Sequence, residues 1–158
     1  MALTVQDGTL VWQKVKNALV GANPAAQNAF RDLRVYLATQ GGNPQLQFIP
    51  YAAEDIVTNT GMQAVTEACT LYGVYAKGRR TSGTTSSFFA VHAAADNAAT
   101  TTTILTERFK AVSQAFSAVF PTGIAVETAL TLSAATAVGG ATESSAADAA
   151  DGFILVGA

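Results

Sequence analysis

Apolar and polar residues alternate with strand period from Met1 to Val5, and Gln6-Asp7-Gly8 interrupts them with a turn signal. The next stretch carries Leu10, Val11, Val15, Leu19 and Val20 at mixed spacing, which fits a helix or a strand. Asn23-Pro24 is a clearer marker, because asparagine caps helix N-termini and proline is tolerated in the first turn. Phe30, Leu33, Val35 and Leu37 partly follow a 3.6-residue period until Gly41-Gly42, so the spacing predicts a helix over about 24–40. From Asn43 to Tyr51, two prolines and the alternation Leu46, Phe48 predict an extended segment that crosses a surface and does not pair at a sheet centre.

The pattern changes near Asn59-Thr60-Gly61. Turns rich in Gly, Thr, Ser and Ala then recur at the spacing of a sandwich or barrel, between short runs rich in β-formers. Strands are expected at 67–76, 85–93, 101–110, 111–120, 122–133 and 152–157, with Leu71, Val74, Phe88, Val91, Phe109, Phe116, Leu132 and Phe153 among the inward-facing candidates. A helix through 107–119 is the alternative, since Phe109, Val112, Phe116 and Val119 share a helical face before Phe120-Pro121-Thr122-Gly123 ends it. The expected fold is mainly β: a β-sandwich or jelly-roll-like domain over 61–158, preceded by an N-terminal arm, 1–60, containing one short helix.

Composition narrows the function classes. The 158 residues suffice for one domain with a real core, yet only 13% are charged against a usual quarter, and Ala with Thr makes up about a third of the chain. That suits close-stacked sheets and subunit contacts. A net charge of −2 without a basic stripe argues against nucleic acid as a ligand. No basic start with an apolar run marks a signal peptide, and no run approaches the roughly 20 apolar residues of a membrane helix, so a soluble protein made in a reducing cytoplasm is expected. Cys69 is the single cysteine, which rules out an intrachain disulfide.

Catalytic chemistry would have to come from a thin set of residues. His92 is the only histidine; with Asp96 and some serine it would compose a hydrolase triad, but no Gly-x-Ser-x-Gly elbow accompanies it, and a half-buried strand-end role is the plainer reading. Cys69 with His92 would need a third, orienting group, and a buried free thiol is the plainer reading there too. One His and one Cys cannot build a zinc site. Oxygen ligands for calcium exist in Glu143, Asp148 and Asp151, without the twelve-residue loop pattern, and these acids equally serve to keep a loop soluble. No catalytic residue, cofactor or metal is therefore expected. Thr100 to Thr103 suits a strand edge or lateral contact.

For partner binding, Lys77-Gly78-Arg79-Arg80 is the one basic cluster, and Arg79 and Arg80 on a loop either grip carboxylates of a neighbouring subunit or sit in a solvated hairpin end. Trp12 is a large aromatic outside the β unit, the kind of residue that anchors an interface. Phe48 and Tyr51 of the extended segment complete the candidate partner-binding set.

Gly78-Arg79-Arg80-Thr81-Ser82-Gly83-Thr84-Thr85-Ser86-Ser87-Phe88-Phe89, then Ala95-Asp96-Asn97-Ala98-Ala99-Thr100-Thr101, Phe120-Pro121-Thr122-Gly123 and Gly139-Gly140-Ala141-Thr142-Glu143 follow one another in an order that resembles small structural proteins of tailed bacteriophages. The chain looks most like their capsid decoration, or cement, proteins over roughly 67–158, while Met1 to Thr9 is similar to the opening of some head-completion proteins. The resemblance implies a virion protein on the outer capsid that bridges neighbouring major capsid proteins, as a dimer or trimer, with no nucleic-acid or membrane partner. A tail-associated or receptor-binding knob, or a head-completion protein, is the alternative.

Overall fold

A computed structural model describes residues 8–40, 45–58, 60–81, 85–96, 103–136 and 144–157. Two helices lead: α1 (Gly8–Ala18) and α2 (Pro24–Thr39). The mixed spacing before Ala18 resolves to a helix because Val11, Val15 and Leu19 recur every fourth residue and are all buried. Gly21, at φ +78°, turns the chain, and the Gln27 side-chain amide donates to the carbonyls of Leu19 (3.0 Å) and Ala22 (3.3 Å) at that turn. Asn23 Oδ1 accepts from the Ala26 amide at 2.8 Å with Pro24 in the first turn, the capping arrangement expected from sequence. α2 buries Ala26, Phe30, Leu33 and Leu37 along one face.

Among the described residues, eight strands and one further short helix follow: β1 (Leu46–Tyr51), α3 (Ala53–Ile56), β2 (Met62–Val65), β3 (Cys69–Gly78), β4 (Ser87–His92), β5 (Thr103–Phe109), β6 (Ala115–Val126), β7 (Leu130–Ala135) and β8 (Ala150–Gly157). They form two antiparallel four-stranded sheets, one ordered β1-β8-β3-β6 and the other β2-β7-β4-β5. That order, with the chain crossing between sheets, is the eight-stranded jelly roll, so the expected mainly-β fold is observed. The six expected strands are present with shifted ends, and β1 and β2 complete the eight.

Two strand-level expectations change. Residues 107–119 form no helix: Phe109 ends β5 in one sheet, Phe116 is the second residue of β6 in the other, and both approach the same inter-sheet core. Between them the Gln114 side chain accepts from the amides of Lys110 and Ala111 and donates to the Arg108 carbonyl, closing a tight turn. Phe120-Pro121-Thr122-Gly123 does not end its element either. β6 is an edge strand, where proline costs no ladder bond, and the register shift opposite Leu71 and Gly73 with Gly123 at φ +76° absorbs the irregularity.

The core has two parts. Between the sheets lie Ile49, Leu71, Val74, Phe89, Val91, Phe109, Leu130, Leu132, Ile154 and Val156. On the other side of the first sheet, the helices meet Leu46, Tyr75, Phe153 and Leu155 through Val11, Val15, Phe30, Leu33 and Leu37. The molecule is thus three layers: helices, sheet, sheet. β8 is covered on both faces, which is why Phe153-Ile154-Leu155-Val156 is an unbroken apolar run and all four are fully buried. The segment expected as an arm is built into this arrangement: β1 pairs with β8 from Leu46↔Gly157 to Tyr51↔Gly152, with Pro50 exposed on the edge strand.

The helical layer is keyed to the sheet at one point. A Cβ on Gly73 would lie 2.5 Å from Phe30 Cε1, so only glycine leaves room for the ring, which also packs on Phe153 with centroids 5.1 Å apart. Phe30→Ala is expected to cost about 3–5 kcal/mol in chemical denaturation, the usual loss for a buried phenylalanine. Gly73→Ala is expected to cost about 1–3 kcal/mol by overpacking, and Phe30→Leu in the Gly73→Ala background to recover part of it. Simple additivity of the two losses would show that the ring and the notch are not coupled.

Candidate functional site

The outward faces of the helices carry what the inward faces exclude. Residues 8–39 hold four cations, Lys14, Lys16, Arg31 and Arg34, against Asp32 alone, a net +3; the whole chain carries −2, so all other residues together carry −5. Charge is segregated between the helical layer and the rest of the chain. Between α1 and α2 runs a groove of about 460 Å³, floored by Val15, Leu19 and Phe30 and walled by Trp12. Lys16 borders it from α1, and Arg31 and Arg34 from α2. The Arg34 guanidinium sits 5.8 Å from the centroid of the Trp12 ring, a cation–π contact between the two helices. Val20, 76% exposed, stands at the mouth. The volume is in the range of sites that take a small ligand or a large side chain.

Trp12 is the only sequence candidate that this groove contains. Phe48 is half-buried and stacks on Phe153 with centroids 4.8 Å apart, as part of the layer contact. Tyr51 is buried; its hydroxyl donates to the Tyr75 carbonyl at 2.8 Å, and its pKa is raised well above the usual 10 by burial, the nearby Asp151 carboxylate and Tyr75. Tyr51 offers a partner no open face, and Phe48 only part of one.

Arg79 and Arg80 do the chemistry expected of them, but on their own chain. Arg79 donates bidentately to Asp151, Nε to Oδ2 and Nη2 to Oδ1, each at 2.7 Å. Its Nη1 donates to Glu54 Oε1, and its Nη2 donates to Glu54 Oε2 at 2.8 Å. Asp151 Oδ1 also accepts from the Ala53 amide at 2.9 Å, so one guanidinium clamps α3 to the start of β8. The hydrogen bonds from Arg79 hold the Glu54 carboxyl below its usual range and raise the Arg79 pKa further. Arg80 is buried and donates to Asp148 Oδ1 at 3.1 Å and to the Lys110 carbonyl at 3.2 Å. Of the carboxylates considered for calcium, Asp148 and Asp151 are each held by an arginine, and Glu143 lies outside the described residues. Among the described residues no group of three or more His, Cys, Asp or Glu is placed to hold a metal.

His92 does find a serine. Its Nε2 lies 2.8 Å from Ser133 Oγ and its Nδ1 3.1 Å from Thr103 Oγ1, so the group opposite the serine is a hydroxyl and not Asp96. His92 and Ser133 are 3% and 4% exposed, which seals the pair from any substrate of size. The ring ties β4 to β5 and β7. Cys69 is buried, and its thiol is pushed up to about 11 by burial and the Glu67 charge, so it stays protonated.

Searches against protein-family models, curated proteins and solved structures find no match to this chain.

Burial holds the His92 imidazole below its usual 6.5, with the Asp96 charge opposing in part. The unfolded chain therefore takes up the proton first, so the stabilisation is present in full above the unfolded value and declines as pH falls through 6.5 toward the folded one. Denaturation midpoints are expected to drop between pH 7.5 and 5, and less so in His92→Gln. The lowered Glu54 carboxyl, whose ordinary value is 4.5, contributes below that window. Equal pH dependence in both proteins would remove His92 as the cause.

Proposed function

We propose that this protein is a non-catalytic structural module that docks on the outer shell of a virus-like particle and stabilises it by bridging neighbouring shell subunits. The observation that carries the reading is the outward face of the helical layer, where a cationic groove walled by the chain's single tryptophan stands on a three-layer body. Two features support it. The jelly roll recurs in viral capsid proteins as well as in lectins and cupins, so the fold is compatible with the shell setting without assigning it. The space between the sheets is filled by side chains that include Leu71, Phe89, Phe109, Leu132 and Ile154.

Binding free energy is the whole mechanism in this reading. A standard interface of roughly 1,600 Å² gives specific docking, and a shell multiplies modest contacts by offering many identical sites. A dimer or trimer of the chain, with the major capsid protein as partner, is the assembly that fits an axis of such a shell.

The test adds the purified protein to particles assembled without it, then measures bound copies by sedimentation and genome release on heating. Saturable binding at a fixed ratio to shell subunits, with release shifted to higher temperature, is expected. Absence of binding, or binding with unchanged release, would overturn the proposal.

A further inference from the structure

We infer that the α1–α2 groove receives an acidic peptide segment that carries one bulky apolar side chain. The inference rests on the docking function proposed above and specifies which surface docks and the chemistry that it recognises.

The rim supplies the charge preference. Lys16 approaches from one helix and Arg31 and Arg34 from the other, and among the described residues no carboxylate lines the groove. Asp32 lies 3.6 Å from Arg31 and both side chains are largely exposed, at 69% and 74%, so the pair is weak, and the three cations against this one carboxylate leave the rim at net +2. Arg34, whose guanidinium carbon lies 5.8 Å from the Trp12 ring centroid, brings to the rim a fork of N–H donors that matches a carboxylate.

The floor supplies the anchor preference. Val15, Leu19 and Phe30 give an apolar base beside the indole, and 460 Å³ holds a phenylalanine or leucine with its adjoining backbone. The combination of apolar floor and cationic rim selects a chain with carboxylates on either side of such a residue. A membrane surface fits less well: the apolar faces of α1 and α2 are already spent on the sheet, and the cations border a concave slot in place of flanking an outward apolar face. Three cations also fall short of the clustered phosphate contacts that hold a nucleic acid.

Trp12, the only tryptophan, reports occupancy directly. The experiment titrates the full chain with a synthetic Glu-Glu-Phe-Glu-Glu peptide and with its Gln-Gln-Phe-Gln-Gln counterpart while following indole emission. It then repeats the titration with Lys16→Ala/Arg31→Ala and with vesicles of phosphatidylserine and phosphatidylcholine. The acidic peptide is expected to give a saturable shift that weakens with added salt, with affinity about tenfold or more below it for the glutamine peptide and for the double variant, whose thermal midpoint should stay near wild type because both side chains lie outside the core. No saturable shift, equal affinity for the two peptides, or a shift produced by vesicles alone would overturn the inference.

The same double variant separates this inference from the broader reading. Shell binding that survives unchanged in the variant would discard the groove as the docking surface and leave the shell function standing. A wild-type chain that takes the acidic peptide but ignores shells would keep the groove and discard the shell.

Discussion

The structure turns on the fit of the Phe30 ring into the notch that Gly73 leaves on the first sheet. One phenylalanine, one glycine and the facing Phe153 join the helical layer to a strand pair at the middle of that sheet. The jelly roll has a core between its sheets, but the far side of the first sheet is apolar too, with Leu46, Phe48, Tyr75 and Leu155 on it. Left uncovered, that face would be an apolar patch of the kind that drives association. α1 and α2 close it, and in closing it they are themselves held still.

From that constraint the functional surface follows. A helix pair fixed by its inward face presents its outward face in a set backbone geometry, which brings Lys16, Arg31, Arg34 and Trp12 around one groove. Preorganisation of this sort reduces the entropy that binding must overcome. The basic cluster that stood out along the chain works differently. Arg79 and Arg80 are consumed in joining α3, β8 and the turns near Lys110 and Asp148, which closes one end of the sandwich.

The sequence was informative where local chemistry decides the outcome. Asn23-Pro24 marked the start of α2 because a cap is a local hydrogen bond, and the recurrence of turns after residue 60 marked a sandwich because strand length and turn spacing are local as well. It was ambiguous or silent where the decision is made by packing between distant segments. Residues 107–119 match a helical period, yet Phe109 and Phe116 serve two different sheets, and only the tertiary fold separates them. Nothing near Arg79 in sequence announces that its carboxylates are Glu54 and Asp151. The groove was missed for the same reason, since its cations lie on two helices and converge only after both have docked. One signal was available: the unbroken Phe153-Ile154-Leu155-Val156 run calls for cover on both faces of β8, and among the described residues the long amphipathic helices that supply it precede β1.

The N-terminal helices pack as a layer of the folded body and not as an independent arm. Native-state amide hydrogen exchange resolves this residue by residue. The account predicts that amides in α2 from Phe30 to Leu37 exchange with the same opening free energy as those of β3 and β8, as one cooperative unit. Exchange of α2 through a separate, lower-energy opening, with β3 and β8 still fully protected, would contradict it.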